Sequence, residues 1–245
     1  MLPKKLRQLI PPEHGAWGFL SVAVAAGLGV APTAAGVLIA VGVIIGVVAR
    51  HAAQLALSGM HLWSAALSLG AIAAAAWLQA WWWAPDTWPW LAGAAGLTLL
   101  QVTCAIGSRR HDTTGVLVGG VALALVGGAI AAAKPFSSPE IIVGAIIGYL
   151  IAITPLVRAR RQPTSHWATH AIAGHLAALA GAIAARFIHH APLLLIGYFM
   201  LLIGRCLWLT RPSQRPLSPK IIGLAEIPFL ILLVLSIVLG VRLDW

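Results

Sequence analysis

Charge is scarce in this chain, acidic charge most of all. Six of the 245 residues are Asp or Glu, and Asp, Glu, Lys and Arg together make up 9%. Soluble domains average roughly 25%. With 60% hydrophobic residues and a mean hydropathy of +0.92, the apolar runs are too many and too long to share one soluble core. Cysteine is nearly absent. Cys104 and Cys206 fall near the cytoplasmic ends of two expected helices, where a disulfide is disfavoured, and two thiols alone make no zinc framework. Carboxylates are missing where magnesium–diphosphate chemistry needs them clustered: Asp112 is the one Asp or Glu in the inner loops. Walker loop, nucleophile elbow and Cys-x-x-Cys are all lacking.

What is present is a series of apolar segments with basic clusters at every second boundary. The clusters are Lys4-Lys5-Arg7, Arg50, Arg109-Arg110, Arg158-Arg160-Arg161 and Arg211-Arg215-Lys220. Short loops rich in Lys and Arg stay in the cytoplasm. The pattern predicts an all-α, polytopic bundle of nine spans in a single integral membrane domain. The N-terminus, MLPKKLRQ, reads as a retained cytoplasmic tail rather than a signal peptide, and the C-terminus lies outside. The expected helices cover about residues 16–30, 33–49, 62–83, 91–107, 114–133, 140–157, 166–188, 193–209 and 221–241. Residues from Arg50 to His61 read as a loop or an amphipathic stretch. A cluster of Trp77, Trp81, Trp82, Trp83, Trp88 and Trp90 marks the outer headgroup boundary. The formal net charge of +10 does not point to nucleic acid, because the cations sit in short loops facing anionic lipid.

Several polar residues are candidates for chemistry. Glu13-His14 stands at the mouth of the first helix, either capping it or relaying a proton. Glu226 lies inside the last helix and Arg205 at a comparable depth in the helix before it. Ionisable groups in a bilayer are costly and usually paired, so the two are candidates for an ion pair. His166 and His170, four apart, share a helix face, while His175 points elsewhere. Two such His are compatible with a metal or a haem only with a further ligand from another helix. Arg50, His51, Arg109, His111, Asp112 and Arg158 lie at one cytoplasmic level, where Arg forks suit phosphate or carboxylate. Small residues at four-residue spacing, such as Gly42/Gly46, Gly144/Gly148 and Gly174/Ala178, mark close helix contacts.

PPEHGAWG at residues 11–18, the Arg-rich inner loops, and PKIIGLAE at residues 219–226 resemble the YwiC-like family of bacterial membrane proteins. The resemblance implies an inner-membrane protein and adds weight to His14, Lys220 and Glu226, which fall within those motifs. A more distant likeness, at the level of the bundle, is to UbiA-type intramembrane prenyltransferases. Their Asp-rich motifs after the second and sixth helices are replaced here by Arg50-His51-x-x-Gln54 and Arg158-x-Arg160-Arg161. Three readings follow. In the first, a cytoplasm-facing pocket binds an anionic, isoprenoid- or phospholipid-like ligand for binding or transfer. Arg50, His51, Arg109, His111, Asp112, Arg158, His166, His170, Arg205 and Lys220 are its contacts, and Glu13, His14 or Glu226 is its acid–base group. In the second, the chain is a haem-b or quinone-linked subunit of a respiratory complex, using His166, His170 and His175. In the third, it is a transporter or an accessory membrane subunit. Membrane lipid and other membrane subunits are the expected partners, nucleic acid is not, and the sequence names no cofactor.

Overall fold

The computed structural model describes residues 14–57, 59–107, 113–134, 138–161, 165–211 and 217–243. Among these residues the structure is helical and contains no strand. The helices are α1 (His14–Val30), α2 (Ala34–Leu57), α3 (Trp63–Trp83), α4 (Trp88–Gly107), α5 (Thr113–Ala132), α6 (Pro139–Arg161), α7 (Ser165–His189), α8 (Leu193–Leu209) and α9 (Pro219–Leu243), with a 3-10 turn at Pro85–Thr87. Five are long and apolar enough to cross a membrane: α2, α3, α6, α7 and α9. The chain is a helical membrane protein.

Local chemistry sets the helix ends. Pro32 stops α1, and the Thr33 hydroxyl accepts the Gly36 N–H at 3.0 Å, capping α2. The second helix does not stop at Arg50. It continues through His51 and Gln54 to Leu57, so of the two expectations for this stretch, a loop or an amphipathic segment, its first part is not a loop but helix. Ala, Leu and Gln there are good helix formers, and nothing interrupts them before Gly59, whose φ of +96° suits glycine. Helix α7 ends at His190, which takes φ 53°, and the Arg186 guanidinium donates to the Ala191 carbonyl at 3.2 Å. Pro219 occupies the first position of α9, while Pro155 and Pro228 lie inside α6 and α9.

The chain forms two compact units, Met1–Pro139 and Glu140–Trp245. In the first, α2 packs along α3, α4 along α5, and both α1 and α2 against α5. Its core gathers Leu20, Ile39, Val43, Leu91, Val126 and Ile130. In the second, α8 packs against α7 and α9. The large side chains buried there include Tyr149, Leu150, Phe199, Leu202, Leu233 and Ile237. The tryptophans divide. Trp82, Trp83 and Trp88 are exposed, as a headgroup belt requires, whereas Trp77 and Trp90 pack against the first core.

Candidate functional site

Among the described residues, the densest polar site is buried in the second unit, where α6, α8 and α9 each contribute a side chain. Glu226 stands seven residues into α9, about 10 Å along the axis at 1.5 Å per residue. Arg205 stands near the end of α8 and grips the Glu226 carboxylate with both terminal nitrogens: Nη1 donates to Oε2 at 2.9 Å and Nη2 to Oε1. Tyr149, from the middle of α6, donates its hydroxyl to the same Oε2 at 2.6 Å. The guanidinium also lies over the Phe229 ring, 3.9 Å from its centroid. A carboxylate held by three donors, two from a matched fork, is a well-satisfied buried charge. The Arg205–Glu226 pair is formed, and it leaves a site with no net charge.

Two further groups line this cluster. Tyr198 donates its hydroxyl to the Phe229 carbonyl at 3.1 Å, and its ring lies 6.5 Å from that of Tyr149. His175 on α7 is 1% exposed, and its Nδ1 sits 2.7 Å from the Ala171 carbonyl. A carbonyl only accepts, so Nδ1 carries a proton, and in the neutral ring Nε2 is a bare acceptor. That Nε2 is buried without a hydrogen-bond partner, within electrostatic reach of Arg205 and Glu226. Close packing places it there: a Cβ on neighbouring Gly174 would stand 2.6 Å from the Ile151 carbonyl of α6. Both tyrosines of the chain meet at this cluster, and their scarcity beside eleven tryptophans is the one sequence signal for it.

A second group of side chains sits at the basic end of the same unit. The Arg158 guanidinium stacks over Trp167 at 4.8 Å from the ring centroid. Trp167 in turn touches His166 and His170, whose rings lie 4.1 Å apart. Both histidines are exposed, and His170 Nδ1 is 2.7 Å from the His166 carbonyl. Their shared face is therefore real. Among the described residues, no group of three or more His, Cys, Asp or Glu could hold a metal ion. Arg160 is buried and structural. Its Nη1 donates to the Leu209 carbonyl at 3.2 Å, and its own carbonyl accepts from Leu217 N–H at 3.1 Å. It thereby fastens the end of α6 to the end of α8 and to the chain entering α9.

In the first unit, Arg50 donates through Nη1 to Gln101 Oε1 of α4, and His51 is half-exposed. This bond ties α2 to α4. Glu13, Arg109, His111 and Asp112 lie outside the described residues, as do the side chains of His14 and Lys220. The structure therefore brings together Arg205 with Glu226, and Arg158 with His166 and His170.

No curated protein and no solved structure matches the chain. A family model described as YwiC-like protein matches residues 10–133. That match takes in the PPEHGAWG motif and α1 to α5. It ends before α6, so the PKIIGLAE motif and the Glu226 cluster lie beyond it. Spanning half of the chain and carrying the motif that opens it, the match shows that the chain belongs to the YwiC-like family.

Proposed function

We propose that this YwiC-like protein is a multi-pass protein of the bacterial inner membrane that binds an anionic, lipid-like ligand at the basic end of its second unit. In this reading all nine helices span the bilayer, with the N-terminus in the cytoplasm and the C-terminus outside. The link from Arg160 to Leu209 and Leu217 supports one part of that topology. It holds the basic ends of α6 and α8 at a common level, as alternate crossings require. The observation that carries the ligand reading is the cluster of half-buried Arg158 and Trp167 with exposed His166 and His170. An arginine already oriented on an indole face can offer its edge to a phosphate or carboxylate, and two adjacent imidazoles can add donors. Arg50 in the first unit is a separate candidate contact.

Native mass spectrometry with lipid extraction tests the reading. Wild type should copurify an anionic lipid that is lost or reduced several-fold in Arg158→Ala and in His166→Ala/His170→Ala. Retention of the same lipid by both variants removes the proposal.

The buried Arg205–Glu226 pair favours a second reading, a transporter whose coupling group is Glu226. Uptake by proteoliposomes that is insensitive to Glu226→Gln counts against it.

A further inference from the structure

Between α8 and α9 the second unit carries an open groove of about 640 Å³, within the usual range for small-molecule sites of about 300–1,000 Å³. Its walls include Met200, Gly204, Trp208, Ala225 and Phe229, and its one charged wall residue is Arg205. Glu226 already offsets the charge of that arginine, so an anion gains little there. Two of the five guanidinium N–H groups are taken by the carboxylate, and the other three have no partner among the described residues. Arginine can only donate. The groove therefore presents a charge-compensated donor, stacked over Phe229 and sharing its wall with Trp208, on an apolar surface open to the side.

We infer that this groove takes the head of a prenyl-tailed quinone, a ring carbonyl accepting from Arg205 and the tail lying along the exposed Met200 side of α8. Among lipid heads, a quinone ring is flat, uncharged and purely accepting, the complement of what Arg205, Trp208 and Phe229 offer. A phospholipid head brings a phosphate charge that the Arg205–Glu226 pair does not need. The site is distinct from the anionic-lipid cluster around Arg158 and does not depend on it.

Photolabelling tests the inference, using a short-tailed benzoquinone with a diazirine on its tail and the full chain in phosphatidylcholine nanodiscs. Wild type should label saturably on peptides containing residues 200–209 or 225–229, competed by unlabelled quinone. Gly204→Phe should reduce labelling about tenfold or more, which corresponds to about 1.4 kcal/mol. A Cβ at Gly204 meets nothing within 4 Å, so the new side chain starts in open space at the groove wall. Ala225→Leu, from the opposite wall, should act the same way, and Arg158→Ala should leave labelling intact. Labelling that never saturates, spreads evenly over exposed helix faces as annular lipid only, or survives both filling variants overturns the inference.

Discussion

The two units hold their helices together by different means. In the first, close backbone approach accompanies a side-chain tie from Arg50 of α2 to Gln101 of α4. A Cβ on Gly27 of α1 would stand 2.7 Å from Ile130 Cβ and 2.9 Å from the Gly127 carbonyl of α5, and one on Gly42 of α2 would stand 2.6 Å from the Trp77 ring of α3. The second also has a close approach, at Gly174, but adds polar ties through its middle: Tyr149 and Arg205 on Glu226, and Tyr198 on the Phe229 carbonyl. Apolar surface gains nothing by leaving lipid for another helix, so van der Waals fit or interhelical hydrogen bonds must do the joining. Fit alone needs small residues and makes a quiet interior. Polar ties place charge in the bilayer, where it is expensive unless it has a use. The buried ion pair lies in the second unit, whereas the family match, over residues 10–133, lies within the first.

The sharpest way to break this contrast is to unpair the buried charge. Arg205→Ala leaves the Glu226 carboxylate without its fork, and removing one partner of a buried pair typically costs about 3–5 kcal/mol. Denaturant or thermal unfolding of the purified protein should show that loss, and Arg205→Ala/Glu226→Ala should recover most of it. If the single and double variants are equally stable, the pair is not what joins α8 to α9.

Next in size is a steric lesion in the first unit. Gly27→Leu forces a side chain against Ile130 and the Gly127 carbonyl and should destabilise by about 1–3 kcal/mol, the usual cost of overpacking. Gly144→Ala, where a Cβ meets nothing within 4 Å, serves as the control and should leave the midpoint essentially unchanged. An equal loss in both would mean that helix propensity, rather than close approach, governs these positions.

Tyr149→Phe removes one of the three donors on Glu226 but keeps the ring, and should cost about 1 kcal/mol. Tyr198→Phe should cost less, about 0.6 kcal/mol, the average for interhelical bonds in lipid. A larger effect at Tyr198 than at Tyr149 would reverse the ranking and move the centre of the network from the carboxylate to the Phe229 carbonyl.

Much of the helical organisation was legible in the sequence because apolar runs and Pro or Gly breaks are local. Helices stand near each of the nine expected positions. The miss at Arg50 has a clear cause. Polarity at Arg50 marks the end of the apolar run, but backbone hydrogen bonding continues wherever the residues favour it, and a helix can leave the apolar layer before it stops. Arg205 and Glu226 were legible as a candidate pair from depth alone. Tyr149, Tyr198 and the bare Nε2 of His175 were not, because their meaning depends on which faces of α6, α7 and α8 meet Glu226. Arg160 was read with its neighbours as part of a cation cluster, and its burial against Leu209 separates it from Arg158.

By itself the sequence determined that this is a helical membrane protein, where its helices fall, and which termini carry basic residues. Those properties follow from hydropathy and backbone propensity, which act over one or two turns. Tertiary structure alone decided that Glu226 is held by Tyr149 as well as Arg205, that Arg158 stacks on Trp167, and that Arg50 reaches Gln101. Each of these contacts joins different helices. The rotation of each helix about its own axis, fixed by small residues such as Gly174 and Gly27, selects the partners.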